Sequence, residues 1–251
     1  MLVMGILNVT PDSFADGGRH NEFEAAVARG LAMIAEGVDI IDIGGESTRP
    51  GAERVSEEEE IARVIPVITE LAKHGTVISI DTMRASTAEA AIKAGASIIN
   101  DVSGGLADPD MLQTVARLQV PYIAMHWRGQ SKDMNSKAIY ADVVSDVISE
   151  LNERIDAALD AGIQKDKLII DPGIGFAKDA EHNWAIIDAI DQFVALGYPV
   201  LVGGSRKRFL GGETPDEREQ ATIELTKRLG TTGVWAVRVH SVKPHKEVLS
   251  Q

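Results

Sequence analysis

The chain has 251 residues, of which 44% are hydrophobic and 25% are charged, and its formal net charge is -13. This composition is typical of an ordinary globular protein, and the length is compatible with one domain, since α/β barrels of about 250 residues routinely form one. The absence of cysteine excludes disulfides, thiol nucleophiles and cysteine-bound metals, and it suits a reducing compartment. The acidic balance disfavours nucleic acid and anionic lipid as partners, so an anionic substrate would need a local basic cluster.

No stretch of the sequence is typical of a secretory signal or a membrane span. The first residues lack a basic segment followed by a long apolar run. No run approaches the roughly 18 consecutive apolar residues that a membrane span needs. We therefore expect a cytoplasmic protein that forms one domain over residues 1–251, without a linker or a low-complexity segment.

Eight short apolar runs alternate with longer segments of helical period. They are rich in Val and Ile and mostly lack apolar/polar alternation, which is typical of strands buried on both faces of a parallel sheet. The predicted strands are residues 2–9, 38–43, 77–81, 97–102, 121–126, 168–171, 199–203 and 235–240. Eight strand–helix units of this length predict an α/β fold, a single (β/α)8 TIM barrel.

An open doubly wound sheet is the alternative architecture. It would place a glycine-rich dinucleotide-binding turn after the first strand, and that strand is followed by Thr10-Pro11 instead. Between the strands, serine or threonine followed three residues later by glutamate predicts helix capping boxes at Ser56, Ser86 and Thr214. After the eighth strand, from about Pro244, the chain leaves room for only two turns, so the final helix should be short.

Polar residues end all eight predicted strands. In a barrel these positions converge on one rim, where barrel active sites lie. One polar end would need no explanation, but eight in succession, mostly carboxylate, amide or imidazole, predict a site there. The residues are Asn8, Asp42 with the nearby Glu46, Asp81, Asn100, His126, Asp171, Ser205 and His240.

Basic residues cluster in the last part of the chain. Lys207 and Arg208 follow the seventh strand, and the loops after strands seven and eight are the usual phosphate-binding corner of such barrels. Arg238 and His240 are two residues apart, so they point to the same side of the eighth strand. An arginine buried there needs an anionic partner, and two interpretations stay open: a phosphate-bearing substrate, or a structural ion pair with a core carboxylate.

Taken in order, these segments resemble the dihydropteroate synthase family. Two loop motifs carry the resemblance, NVTPDSFADGG at residues 8–18 and GGESTRPG at residues 44–51, and shorter matches at the later strand ends extend it over essentially the whole chain. The resemblance implies an enzyme of folate biosynthesis that condenses 6-hydroxymethyl-7,8-dihydropterin pyrophosphate with p-aminobenzoate, forming 7,8-dihydropteroate and pyrophosphate. It also implies Mg2+ as cofactor, a homodimer and a target of sulfonamides.

The resemblance assigns the pterin to the barrel mouth. Asp81, Asn100 and Asp171 would bind the ring edge, whose adjacent N–H donors suit carboxylate acceptors. Lys207 would reach the ring carbonyl, while Met125 and Phe176 would supply apolar walls. The residues expected to carry the chemistry are Asp81, Asp171, Lys207, Arg238 and His240.

Further roles follow for the two other ligands. Arg238 and His240, with Val239 between them, would bind pyrophosphate, and Asn8 would help to hold Mg2+ with it. The p-aminobenzoate would lie against Thr48, Arg49, Pro50 and Arg208. Asp16 lies on the first loop, which we expect Mg2+-pyrophosphate to order, so that the pterin substrate binds before p-aminobenzoate.

Two positions depart from the usual family pattern. Ser241 stands where family members usually have Asp, and Arg208 stands where many have Ser. One alternative function is a pterin-binding methyltransferase of the methyltetrahydrofolate and corrinoid type, although such an enzyme has no use for an Mg2+ ligand or an anion-binding pair. A second alternative is an inactive paralogue that acts as a binding or regulatory subunit, supported only by Ser241 and the short C-terminus.

Overall fold

Eight strands alternate with helices in the computed structural model, which describes residues 1–10, 18–46, 55–130 and 134–250. The strands are β1 Leu2–Asn8, β2 Ile40–Gly44, β3 Val77–Asp81, β4 Ile98–Asp101, β5 Tyr122–Met125, β6 Leu168–Asp171, β7 Leu201–Val202 and β8 Ala236–Val239. The α-helices are α1 Gly18–Ala35, α2 Glu57–Ala72, α3 Ala85–Ala94, α4 Met111–Leu118, α5 Val143–Asp160, α6 Ala180–Asp188, α7 Ile190–Val194, α8 Glu219–Leu229 and α9 Lys243–Leu249. Short 3-10 turns cover Met134–Lys137, Lys165–Lys167 and Arg208–Leu210.

The strands form one parallel sheet that closes on itself. Their order is β6-β5-β4-β3-β2-β1-β8-β7, and a parallel bridge between Ile170 and Val200 joins the two outer strands. The predicted TIM barrel is therefore confirmed, and the doubly wound alternative is wrong. Every predicted strand is present, with its ends within two residues of the expected ones.

Alternation along the strands divides the core into two layers. Side chains that face the helices form the larger cluster, which includes Val3, Ile41, Ile78, Ile99 and Val237. Side chains that face the barrel axis form a separate apolar plug of Met4, Ile40, Ile98, Ile123, Ile169, Leu201 and Ala236. Residues two positions further along a strand share its face. The plug is therefore overlaid by Asp42, Asn100, Met125, Asp171 and Arg238.

The predicted helix starts have mixed outcomes. Ser56 caps α2 and accepts a hydrogen bond from the Glu59 N–H at 3.2 Å, as predicted. The cap at Ser86 is wrong, because α3 begins one residue earlier and the N–H of Ala85 donates to the distant Asp108 Oδ2 at 2.8 Å. Thr214 accepts a hydrogen bond from its predicted partner, but in a turn that precedes α8.

The final helix is short, as expected, and ion pairs fasten it to the barrel. α9 has seven residues. Its Lys246 Nζ lies 2.9 Å from Asp39 Oδ2, ahead of β2, and the buried His245 shares a hydrogen bond of 2.8 Å with Thr226 of α8. Among the described residues, no helix is both long and apolar enough to cross a membrane.

Candidate active site

Two glycines open space beside the carboxylates at the C-terminal rim of the barrel. In the strand register, Asn8 pairs with Gly44 and Gly44 pairs with Asp81. A Cβ added at Gly44 would lie 3.6 Å from Asp81 Oδ2, and one added at Gly203 would lie 3.8 Å from Asp171 Oδ2. Because neither glycine has a side chain, no Cβ at these two positions packs against either carboxylate.

Arg238 connects the strands that surround this space. Its Nε donates to Asp42 Oδ2 and its Nη2 to Asp81 Oδ2, both at 2.6 Å. The amide of Asn100 donates to the same oxygen of Asp42 at 3.0 Å. The structural ion pair that the sequence left open is therefore present. Sequence reasoning noted Asp42 only as a strand end; its position two residues after the plug residue Ile40 signals that it faces inward.

Burial shifts the pKa values of two carboxylates at this rim. Burial raises the pKa of Asp81 to about 7, which Arg238 opposes and the charge of Asp42 supports. Burial also raises the pKa of Asp171, opposed by a hydrogen bond from the N–H of Gly173 and by the charge of Lys207. Perturbed acids beside an open space are typical of functional sites rather than of a passive core.

Lys207 and Phe176 contact each other, and the charge of Lys207 acts on Asp171. The Lys207 ammonium donates to the carbonyl of Ile174 and lies 4.3 Å from the centroid of the Phe176 ring. Burial lowers the pKa of Lys207 to about 8. Gly175 has a φ of 76°, and a Cβ there would lie 2.6 Å from Lys207 Cδ. Only glycine therefore fits that turn and lets the lysine pass.

His240 belongs to the same rim, whereas Val239 does not face it. The backbone N–H of His240 donates to Ser205 Oγ at 3.2 Å, and its Nδ1 lies 2.9 Å from the same oxygen. Ser205 Oγ therefore contacts both the backbone and the ring of His240, and these two bonds hold the imidazole at the rim. Val239 packs in the layer between strands and helices, so its side chain points away from the site. Arg208 is exposed on the 3-10 turn after Lys207.

A buried polar chain beside Asp171 was not predicted. Lys178 is buried and shares a hydrogen bond of 2.9 Å with His126 Nδ1. His126 Nε2 lies 2.9 Å from Glu150 of α5, which also accepts from Arg128. The sequence noted His126 as a strand end, but nothing in its pattern connected residues from three separate loops and helices.

Arg84 binds both ends of the second long loop. It donates to Glu46 Oε2 at 2.7 Å and to the Val55 carbonyl at 2.5 Å. It also pairs with the buried Glu60 of α2. The predicted ligand residues between these two anchors, Thr48, Arg49 and Pro50, lie outside the described residues, and so does Asp16 of the first loop.

A parallel barrel with buried acids and cations at its C-terminal rim has the architecture of the barrel enzymes, whose active sites lie at that rim. A sequence profile for the family described as pterin binding enzymes matches residues 4–240. A relative from Mycobacterium leprae named dihydropteroate synthase is 48% identical over 257 residues, covering 98% of this chain and 90% of the relative. The Bacillus subtilis enzyme of the same name is 49% identical over 247 residues, covering 96% and 84%.

Solved structures agree with these relatives. The dihydropteroate synthase of Xanthomonas albilineans with 4-aminobenzoic acid has a TM-score of 0.93 and 45% identity, covering 99% of this chain and 90% of that one. A second structure of that enzyme, with 7,8-dihydropteroate, has a TM-score of 0.90 and 42% identity, covering 99% and 91%. This chain therefore belongs to the dihydropteroate synthase family, transferases of folate synthesis, which confirms the predicted resemblance.

Proposed function

We propose that this chain condenses 6-hydroxymethyl-7,8-dihydropterin pyrophosphate with p-aminobenzoate, giving 7,8-dihydropteroate and pyrophosphate. The observation that carries the proposal is the space between Asp81 and Asp171, which Gly44 and Gly203 leave open. Both carboxylates are acceptors with cations nearby, since Arg238 donates to Asp81 and the charges of Lys207 and Lys178 act on Asp171. An aminopyrimidinone ring with adjacent N–H donors and a carbonyl matches that arrangement.

The pterin would lie with its donor edge toward the buried acids. Asp171 would accept two N–H groups, with Asn100 and Asp81 completing the edge, and Lys207 would donate to the ring carbonyl. Met125 follows the plug residue Ile123 by two positions and would close the apolar floor. The proposed orientation of the pterin ring rests on the positions of these residues at the rim.

The pyrophosphate would leave toward the eighth strand. A guanidinium has five N–H donors, and the two ion pairs of Arg238 use one each from Nε and Nη2, so others can serve a phosphate oxygen. His240 would add an Nε2–H donor. Asn8 ends β1 on the same rim and offers an amide oxygen, a suitable ligand for Mg2+, which keeps its other positions for water and phosphate. When bound, Mg2+ would neutralise charge on the departing pyrophosphate.

The second half of the reaction needs little from the protein. Once pyrophosphate departs, the pterin methylene carries positive charge, which the nearby carboxylates stabilise. The amino group of p-aminobenzoate is neutral at pH 7 and attacks the methylene without a strong general base, and the resulting arylammonium, which is strongly acidic, then loses its proton to water. Its carboxylate would be held near Arg49 and the backbone N–H groups at Arg208, with Thr48 and Pro50 as walls.

Turnover of the purified protein with the pterin pyrophosphate and p-aminobenzoate is the decisive test. Formation of dihydropteroate with release of one equivalent of pyrophosphate supports the proposal. Tight pterin binding without turnover would instead favour the inactive paralogue, and methyl transfer from methyltetrahydrofolate would favour the methyltransferase. Chelation of Mg2+ should reduce turnover, and added Mg2+ should restore it.

We also propose that the enzyme is a cytoplasmic homodimer. The α9 helix has only seven residues, and Leu31 on the neighbouring α1 is exposed. A second subunit would bury this surface. Light scattering at micromolar concentration should give twice the mass of the chain, and a monodisperse monomer would refute the dimer. The cysteine-free composition suits the reducing cytoplasm.

A further inference from the structure

A single buried lysine holds the turn that follows β6. Lys178 is 8% exposed. Its ammonium donates to the carbonyls of Gly173 and Phe176, each at 3.1 Å, and shares a hydrogen bond with His126 Nδ1 at 2.9 Å. An ammonium has three donors, and these three partners account for all of them. Lys178 therefore occupies the centre of the turn from Gly173 to Phe176.

The same turn orients Asp171. The N–H of Gly173 donates to Asp171 Oδ1 at 2.7 Å, while the carbonyl of Gly173 accepts from Lys178 and from the N–H of Phe176. Gly173 has a φ of 70°, and a Cβ there would lie 2.5 Å from the carbonyl oxygen of His126. Gly173 contacts Lys178 through its carbonyl and Asp171 through its N–H, so a change at Lys178 is expected to alter the orientation of the Asp171 carboxylate.

A chain of hydrogen bonds runs from Lys178 to the outside of the barrel. Burial lowers the pKa of His126 to about 4, helped by the charge of Lys178, so the imidazole is neutral at pH 7. Because Nδ1 accepts from Lys178, the proton lies on Nε2, which donates to Glu150 at 2.9 Å. Arg128 donates to Glu150 at 3.0 Å, and its guanidinium stacks 3.8 Å above the Tyr140 ring. Arg128 therefore fixes Glu150, which lies at the outer end of this series of hydrogen bonds.

We propose that Lys178 is a positioning residue for pterin binding, which fixes the turn that orients Asp171 and supplies positive charge on the buried side of that carboxylate. His126 and Glu150 hold Lys178 in place. This inference rests on the proposed role of Asp171 as the acceptor for the pterin ring edge. If Lys178 only filled space, an uncharged side chain of equal length could replace it. Such a side chain would neither fix the turn nor supply positive charge near Asp171.

The charges around Asp171 support this role. Burial raises the pKa of Asp171, and three cations oppose the rise: Lys207, Lys178 and Arg238. Burial also lowers the pKa of Lys178 to about 7, while the charge of Asp171 opposes that change. Each group therefore favours the ionised form of the other. Without Lys178, Asp171 should hold its proton to a higher pH and lose acceptor capacity there.

The test compares Lys178→Met, which removes the charge, with Lys178→Arg, which keeps it. The pH profile of kcat/KM for the pterin pyrophosphate is measured for both. We expect Lys178→Met to move the acidic limb upward by about one pH unit, a roughly tenfold loss on that side, and Lys178→Arg to leave the limb near its wild-type position. Lys93→Met, on the exposed side of α3, is the matched control and should change nothing.

A folded Lys178→Met enzyme with a wild-type acidic limb would overturn the proposal. If Lys178→Met does not fold, the proposal is tested instead by NMR of the lysine Nζ groups in the wild-type enzyme. The Lys178 resonance is identified as the one that is missing from the spectrum of Lys178→Arg. A Lys178 resonance that does not change when a saturating pterin analogue binds at Asp171 would equally overturn it. If Asp171→Asn binds pterin normally, the role of Asp171 fails instead, so the two failures are distinguishable.

Discussion

Replacing Asp171 with asparagine tests the pterin site with the smallest possible change. Asp171 Oδ1 accepts from the N–H of Gly173 at 2.7 Å, and an asparagine oxygen can accept the same bond. Oδ2 lies on the side of Gly203, where a Cβ would be 3.8 Å away, so it faces the open space. The substitution therefore keeps the turn and converts only the ligand-facing atom from an acceptor to a donor.

The expected loss of binding free energy follows from the pterin N–H groups that this side-chain atom would face. A charged acceptor loses its hydrogen bonds to two N–H groups, and a donor then opposes a donor in a buried site. An unmatched buried polar pair costs about 2–4 kcal/mol, or roughly 30- to 1,000-fold in the dissociation constant. Loss of the negative charge also leaves Lys207 and Lys178 without their shared neighbour, which should lower the pKa of both further.

Isothermal titration calorimetry with a pterin analogue measures this effect directly. Asp166→Asn makes the same chemical change on the exposed 3-10 turn before β6, and it should bind like the wild type. Circular dichroism should show that both variants are folded. An Asp171→Asn protein that is folded and binds pterin within about threefold of wild type would show that the ring does not contact this carboxylate.

Three further substitutions test the surroundings of the site. Ser241→Asp should change turnover less than about tenfold, because Ser241 Oγ accepts from Arg206 at 2.8 Å rather than from a residue assigned to the anion site; a larger gain would show that the serine limits the enzyme. Asp81 has a folded pKa of about 7 against 3.8 unfolded, so its ionisation removes stability as pH rises through that window. Urea unfolding of Asp81→Asn at several pH values should therefore give a flatter pH profile there than the wild type gives. Gly173→Ala should destabilise the protein more than Gly197→Ala, since both glycines have positive φ but only the first has a backbone oxygen 2.5 Å from the new Cβ; equal losses of melting temperature would contradict this.

Much of the fold follows from short-range pattern alone. Buried parallel strands are continuously apolar, so the eight runs were recognisable without any knowledge of their neighbours, and every strand lies where it was predicted. Strand ends in a barrel converge on one rim, so Asp81, Asn100, Asp171 and Arg238 could be placed together from their positions along the chain. Local hydrogen bonding also made the Ser56 cap predictable.

The partners of those residues depended on the closed barrel. Arg238 contacts Asp42 across 196 positions of sequence, and nothing local could choose between a core carboxylate and a phosphate as its partner. The failed cap at Ser86 has the same cause, because a distant aspartate satisfies the first N–H of that helix. The sequence does not distinguish Lys178 from other lysines in loops; only the packing of three separate segments buries its ammonium. Burial and long-range contacts set these pKa values and pairings, and both exist only once the barrel has closed.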